Sequence, residues 1–162
     1  MDYPITILYL PLRWCGFSFK LFQKQLGDDQ YYSPVDPVDK KPENRLFAQY
    51  HAPQTRTMKD LILKELSSPS STVRVLFATV AMGMGVDIPS IRVHVRPPHT
   101  MREYFQETRR AGRDGKQSFA LIYYDNRNIS KIQEGLSDDI RQFCCLEASC
   151  LRHFFLTVSM LL

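Results

Sequence analysis

The feature that most constrains the fold of this chain is the alternation of short apolar runs with segments of helical periodicity. A short apolar run suits a buried strand, and apolar residues spaced three or four apart indicate one face of a helix. The predicted strands are Ile5–Leu10, Leu46–His51, Val73–Ala78, Ile91–Val95 and Phe119–Tyr124. The predicted helices are Trp14–Leu26, Thr57–Leu66, Thr100–Thr108, Asn126–Glu134 and Asp138–Val158. Strands that alternate with helices usually form a parallel sheet covered on both faces, so we expect an open α/β fold with a small C-terminal helical appendage.

Composition narrows the class of protein. The 162 residues are 44% hydrophobic, enough for one domain with a real core, and no apolar run approaches the roughly 20 residues that span a membrane. No basic segment precedes the first apolar run, so a secretory signal is not expected. The four cysteines do not form a disulfide framework, which indicates a reducing compartment. A net charge of +4 permits a polyanionic partner without requiring one.

Two glycine-containing segments follow predicted elements at the edge of the sheet where ligands of open α/β folds bind. The first, Ala78–Asp87, contains Gly-Met-Gly, a hydroxyl at Thr79 and a carboxylate at Asp87. Taken alone, it fits an ordinary strand-to-helix turn. The second, Gln106–Gly115, presents arginines beside glycines, which suits phosphate recognition. Taken alone, it equally fits a solvated basic helix end whose arginines pair with acidic neighbours.

Together the two segments resemble motifs V and VI of superfamily 2 helicases, in the form found in RecQ DNA helicases. The first has the pattern Ala-Thr-x-Ala-x-Gly-Met-Gly-x-Asp, and the second has Gln-Glu-Thr-x-Arg-Ala-Gly-Arg-Asp-Gly. Three further segments agree in order. Ile5–Arg13 resembles motif IV, Tyr50-His51 resembles the Tyr-His-Ala-Gly element, and Arg141–Leu156 resembles the start of the RecQ zinc-binding subdomain.

The resemblance implies a division of the site into a nucleotide side and a DNA side. Arg113 matches the arginine finger that stabilises charge on the γ-phosphate in the transition state. The other residues implied on the nucleotide side are Gln106, Arg110, Gly85 and Asp87. Those implied to contact the phosphates of single-stranded DNA are Arg13, His51, Thr79 and Met82.

The resemblance also implies partners and cofactors. The sequence has no Gly-x4-Gly-Lys-Ser/Thr P-loop and no Asp-Glu box, which RecQ helicases carry in their first RecA-like domain. We therefore expect a second RecA-like domain over residues 1–125 and a truncated start of the zinc-binding subdomain over 126–162. ATP with Mg²⁺ would be shared with the first RecA-like domain, and this chain alone should not hydrolyse it. The implied activity is 3′–5′ translocation and unwinding on single-stranded and branched DNA, without a membrane partner. The expected location is the nucleus in a eukaryote and otherwise the cytoplasm.

Two departures from the RecQ pattern support an alternative, a non-catalytic DNA-binding or interaction module derived from a helicase. Arg109 occupies a usual glycine position, where a left-handed helix cap would cost about 1 kcal/mol. The spacing between Asp87 and Gln106 is about two residues short, which predicts a shortened strand at Ile91–Val95. An RNA helicase of the wider superfamily is a third interpretation, which the RecQ-like cysteine-bearing helix disfavours.

The zinc site is expected only in a longer parent protein. Cys150 matches the first family ligand, and Cys144, Cys145 and His153 lie nearby. Ligands on one continuous helix cannot surround a metal, because positions six apart lie about 240° around the axis. We therefore expect free or buried thiols here. Of the remaining side chains, Cys15 and the Phe17, Phe19 and Phe22 cluster are expected in the core, and His94 and His99 at the surface or at strand ends.

Overall fold

The computed structural model describes residues 4–32, 40–79, 90–108, 118–147, 150, 151, 153 and 154. Residues 80–89 and 109–117 lie outside the described residues. The predicted site residues that fall there are Met82, Gly85, Asp87, Arg110 and Arg113, together with the unusual Arg109. Their expected roles therefore stay predictions.

Five parallel strands form one sheet. The strands are β1 (Ile5–Tyr9), β2 (Phe47–Tyr50), β3 (Val75–Ala78), β4 (Ser90–His94) and β5 (Ala120–Ile122). Their order across the sheet is β2-β3-β1-β4-β5, and every neighbouring pair is parallel. Parallel neighbours require crossover connections, which the helices supply. The predicted α/β class is confirmed.

Four helices accompany the sheet within the described residues. They are α1 (Leu12–Leu26), α2 (Arg56–Leu66), α3 (Met101–Thr108) and α4 (Asp138–Cys144). Short 3-10 turns at Gly27–Gln30 and Pro42–Asn44 lie in the connection before β2. At the start of α3, the amide of Glu103 donates to Thr100 Oγ1 at 3.1 Å, and the Glu103 carboxylate accepts from the His99 amide at 2.9 Å. The bond to Thr100 satisfies an amide that a helix start leaves unpaired, and the bond from His99 ties the preceding residue to the first turn.

The two faces of the sheet are covered by different helices. On one face Ile7, Tyr50 and Leu76 pack with Leu66 of α2. On the other face Phe19 and Phe22 of α1 form edge-to-face contacts with Phe47, with ring centroids 5.0 and 5.6 Å apart. The two faces account for the apolar character of the strands, since a parallel sheet is buried on both sides.

Two predictions about α1 have opposite outcomes. Cys15 is fully buried beside Phe47 and Phe77, so its predicted core position is confirmed. Phe17 is 55% exposed, so its predicted core position is wrong. At 100° per residue, Phe17 lies about 200° around the helix from Phe19, which faces the sheet.

The predicted helix at Asn126–Glu134 is wrong, because residues 126–135 form successive turns. The guanidinium of Arg141 holds these turns together. It donates to the carbonyls of Ile129 at 2.9 Å, Gln133 at 2.8 Å and Leu136 at 3.1 Å, and also to that of Ser130. One largely buried guanidinium thus satisfies carbonyls that the backbone ladder of a helix would otherwise have paired.

The predicted continuous helix Asp138–Val158 is also wrong. Helix α4 ends at Cys144, and a separate helical turn follows in which the Phe154 amide donates to the Cys150 carbonyl at 3.2 Å. Ile140 and Phe143 of α4 pack on Met101 and Tyr104 of α3. A short helix is sufficient here because its stability comes from this packing. Among the described helices, none has the length and apolar character that a bilayer crossing requires.

The expected shortening of the fourth strand relative to the RecQ pattern stays a prediction. All five residues of β4 pair with β1, from Ile5 opposite Ser90 to Tyr9 opposite His94. The centre of the sheet is therefore continuous.

Candidate nucleic-acid and nucleotide interface

All five strands end at the same level, which creates one continuous edge; Ile122, the last residue of β5, pairs with His94, the last residue of β4. Tyr50 of β2 pairs with Ala78 of β3, and Ala78 pairs with Tyr9 of β1. Tyr9 in turn pairs with His94 of β4. Backbone bonds beyond the strands keep this alignment, with the Leu10 amide donating to the Ala78 carbonyl at 2.8 Å. The segments that follow these strands therefore leave the sheet side by side, at the edge where open α/β sheets bind ligands.

The structure brings three of the four predicted DNA contacts to this edge. His51 directly follows β2 and Thr79 directly follows β3. Arg13 lies in the first turn of α1, shortly after β1. Its exposed guanidinium lies 5.7 Å from the centroid of the half-exposed Trp14 ring. Strands β2, β3 and β1 are consecutive neighbours, so these three residues follow adjacent strand ends.

The turn after β2 is held by a glutamine. The His51 amide donates to Gln54 Oε1 at 2.9 Å, and Gln54 Nε2 donates to the Gln49 carbonyl at 3.0 Å. His51 Nδ1 is buried and has no hydrogen-bond partner among the described residues. The turn thus has a defined shape and leaves one imidazole nitrogen without a partner in that part of the chain.

A cavity of about 480 Å³ opens at the same edge. It is bordered by the segments that follow β1, β2, β3 and β4, represented by Pro11, Ala52, Thr79 and Arg96. Glu107 of α3 also lies on its wall. The cavity therefore joins the predicted DNA side to the end of α3, where the arginine-bearing segment begins.

The last turn of helix α3 directs two neighbouring polar residues, Gln106 and Glu107, to opposite environments. Met101, Tyr104 and Glu107 are buried and recur every three residues, whereas Gln106 is exposed. Gln106 is therefore free to face a ligand, as its predicted nucleotide role requires. The same helical phase turns Glu107 inward.

The structure adds two buried polar residues that the sequence analysis missed. His94 and Glu107 are each 2% exposed, and His94 Nδ1 lies 3.0 Å from Glu107 Oε2. His94 lies at a strand end, as one of its two predicted positions required, but it is buried rather than at the surface. Burial of Glu107 also disfavours the alternative in which it pairs with arginines at a solvated helix end. The three-residue spacing of Met101, Tyr104 and Glu107 on α3 could have predicted that Glu107 is buried. His94, as the last residue of a buried strand, offered a weaker signal.

The cysteine-rich segment does not provide a metal centre within the described residues. There, no group of three or more His, Cys, Asp or Glu side chains converges on a point that could hold a metal ion. Burial raises the pKa of Cys144 to about 11. Cys145 and Cys150 are exposed. The sequence predicted one continuous helix, which would prevent these side chains from surrounding a metal. In the structure the helix ends at Cys144, before Cys145. The described donor set still does not fit zinc.

Comparisons with known proteins agree on one family. The profile of the helicase conserved C-terminal domain matches residues 30–115. The ATP-dependent helicase SGS1 of Saccharomyces cerevisiae is 44% identical over 69 residues, which cover 41% of this chain and 5% of that protein. The RecQ-like DNA helicase BLM of Xenopus laevis is 34% identical over 86 residues, covering 52% of this chain and 6% of that protein.

A solved structure shares the fold. The C-terminal domain of the DEAD-box protein Dbp5 superposes with a TM-score of 0.58 at 16% identity, covering 91% of this chain and 74% of that chain. At this identity the likeness concerns architecture. The chain spans only about one twentieth of the length of the two curated relatives named above, 5% and 6% respectively.

Proposed function

The chain belongs to the helicase conserved C-terminal domain family, in its RecQ-type superfamily 2 form, and from that premise we propose that it is the second RecA-like half of an ATP-dependent DNA helicase. Its task would be to couple ATP hydrolysis in the cleft between two RecA-like domains to 3′–5′ movement along single-stranded DNA and to duplex unwinding. Residues 1–125 would form this domain, and residues 126–162 would begin the helical zinc-binding subdomain.

The single observation that carries the proposal is the shared level at which β1, β2, β3 and β4 end. The segments that bear Arg13, His51 and Thr79 follow three adjacent strands, and the segment that leads to α3 follows the fourth. A helicase domain needs DNA-contacting and nucleotide-contacting residues on one rigid edge, so that closing the cleft moves both together. The common edge meets that need.

DNA contacts at this edge would be made mainly to phosphates. Arg13 supplies a charged fork, whereas His51 and Thr79 supply neutral polar groups, and Met82 would complete the set. Phosphate contacts position a protein on DNA without reading bases. The proposed domain would therefore bind strands of differing sequence, with an affinity that falls as salt rises.

The nucleotide side would act through arginines. The exposed Gln106 leads into a segment with Arg110 and Arg113. Arg113 would reach the γ-phosphate of ATP held mainly by the first domain, and would stabilise charge that develops in the transition state. Arg110 and Gln106 would sense the nucleotide, with Gly85 and Asp87 beside it. Mg²⁺ would be held by the first domain, so the chain needs that partner for hydrolysis.

One observation favours a second candidate function. Arg109 stands where RecQ proteins usually have glycine, directly after α3. If this position must be left-handed, arginine there is strained by about 1 kcal/mol and displaces the segment that follows. The chain would then be a DNA-binding or interaction module without ATPase coupling.

The test is DNA-stimulated ATP hydrolysis by this chain alone, mixed with the first RecA-like domain of a RecQ helicase, and fused to that domain. Turnover only in the mixture or fusion supports the half-enzyme. Single-stranded DNA binding without turnover in all three samples supports the binding module. An Arg109→Gly variant separates the causes, because turnover restored by glycine would identify Arg109 as the reason for inactivity.

A further inference from the structure

Glu107 is a buried carboxylate with a single close polar neighbour in the described part of the chain. It is 2% exposed, and His94 Nδ1 lies 3.0 Å from its Oε2. Neither carboxylate oxygen accepts a hydrogen bond from a described residue, so the contact with His94 is a close approach of Nδ1 to Oε2. Burying a carboxylate is costly, and a buried pair rarely stabilises a fold more than apolar side chains of the same size would. This position therefore needs an explanation other than packing.

The imidazole of His94 is held in place from two sides. Its ring stacks on Tyr9 of β1, with centroids 4.7 Å apart and planes 17° apart. The ring of Tyr104 of α3 meets it edge-on at 5.3 Å. The backbone of His94 pairs with Tyr9 and Ile122 in the sheet. The packed ring therefore holds Nδ1 of His94 in a fixed position at the carboxyl end of β4. This nitrogen can serve as a fixed point that orients helix α3.

Glu107 lies where alignment of the helix matters. It is the second-last residue of α3, directly after Gln106. Arg110 and Arg113 follow three and six positions later in the chain. One step of an α-helix moves the chain about 1.5 Å along the axis and turns it about 100°. A slip of one step at the last turn would therefore redirect everything that follows α3.

We propose that His94 and Glu107 form a positioning pair that locks the last turn of α3 to the end of β4 and thereby sets where the arginine-bearing segment leaves the helix. The inference rests on the proposed function, since it assigns the pair to the placement of Arg110 and Arg113. Neither residue would touch ATP or DNA. Both residues lie on the wall of the cavity, but each side chain is only 2% exposed and both carboxylate oxygens of Glu107 are buried, which favours a positioning role over direct contact with a ligand.

The experiment uses the fusion of this chain to a first RecA-like domain, with ATPase kinetics and thermal midpoint measured for each variant. His94→Phe keeps a ring against Tyr9 and removes the nitrogen, whereas His94→Asn keeps a nitrogen near the Nδ1 position. Glu103→Gln is the matched control. It lies one turn earlier on α3 and weakens the helix cap without touching His94.

His94→Phe should lower kcat at least about tenfold with KM for ATP changed less than about twofold, because a misplaced arginine weakens only the transition state. His94→Asn should restore kcat to within about threefold of the unsubstituted fusion. Glu103→Gln should lower the thermal midpoint and leave kcat unchanged. Equal loss of kcat in Phe and Asn variants, or a loss in Glu103→Gln that matches His94→Phe, would overturn the positioning role. An inactive unsubstituted fusion would instead count against the proposed function, and the positioning role would fall with it.

Discussion

The ring of Tyr9 lies flat against the imidazole of His94, with the two centroids 4.7 Å apart and an interplanar angle of 17°. Tyr9 ends β1 and His94 ends β4, and the two residues are also paired in the sheet. The stack therefore joins the segment that leads to Arg13 with the strand that precedes α3. It sits at the point where the proposed DNA and nucleotide sides meet.

Removing this stack should destabilise the domain. Tyr9→Ala deletes a buried aromatic ring and should lower the free energy of unfolding by about 3 kcal/mol, because a cavity remains beside the buried His94. Tyr9→Phe keeps the stacked ring and should cost about 1 kcal/mol, the net value of an ordinary hydrogen bond at most. Urea denaturation of the two variants measures both. Equal losses would show that the hydroxyl, and not the ring, carries the contribution of Tyr9.

The arginine-finger assignment predicts a large and selective defect. Arg113→Ala in the fused two-domain protein should lower ATPase kcat by about 10³ while single-stranded DNA binding stays unchanged, by analogy with other arginine fingers. The matched control is Arg102→Ala, an exposed arginine on α3 that precedes the segment. Steady-state ATPase assays and fluorescence anisotropy with labelled DNA give the two readouts. A turnover number that survives Arg113→Ala would remove Arg113 from the mechanism.

The DNA side predicts a change in salt dependence. Replacing Arg13 with Gln removes one phosphate contact and should reduce the slope of log affinity against log salt by about 0.7 for single-stranded DNA. Lys24→Gln is the control, because Lys24 is exposed at the opposite end of α1. Binding titrations between low and moderate salt give the slopes. A larger effect at Lys24 than at Arg13 would place the DNA on the other edge of the sheet.

Arg141 should be essential to the turns that precede α4. Its guanidinium donates to four carbonyls of residues 129–136, so Arg141→Leu leaves several of them unpaired and should cost about 2–3 kcal/mol. Arg141→Lys should recover little, because an ammonium group lacks the planar fork. Arg127→Ala, an exposed arginine within the same turns, should change stability by less than about 0.5 kcal/mol. Amide hydrogen exchange over residues 126–137 would detect the loss locally.

The cysteines should differ in reactivity. Burial raises the pKa of Cys15 and of Cys144 to about 11, from an ordinary value of 9.0. A raised pKa means that few of these thiols are ionised at pH 8, on the order of one in 10³, and only the thiolate attacks an alkylating reagent. Iodoacetamide followed by peptide mass spectrometry should therefore modify the exposed Cys145 and Cys150 first. In guanidinium chloride all four cysteines should react, which controls for reagent quality.

Most of the sheet could be predicted from local patterns, because strand and helix periodicity are properties of neighbouring residues. The five strands lie within or close to the predicted runs. At the predicted capping box the Glu103 amide donates to Thr100 as expected, whereas the Glu103 carboxylate accepts from the amide of His99 instead of that of Thr100. The errors have a common origin. Residues 126–135 form turns because the guanidinium of Arg141 satisfies carbonyls that lie between residues 129 and 136. Helix α4 ends at Cys144 after packing its short apolar face on α3. Hydrophobic periodicity does not show either kind of side-chain contact.

The sequence by itself determined the alternating architecture, the family resemblance and the residue types at the edge of the sheet, since these depend on local spacing and on two contiguous motifs. Tertiary structure alone decided the level at which the strands end and the environment of each polar side chain. His94 and Glu107 are separated by thirteen positions in the chain, and nothing in either segment states that both are buried. Their 3.0 Å contact exists because the register of β4 against β1 fixes the position of His94, and the rotation of α3 about its axis directs Glu107 toward it.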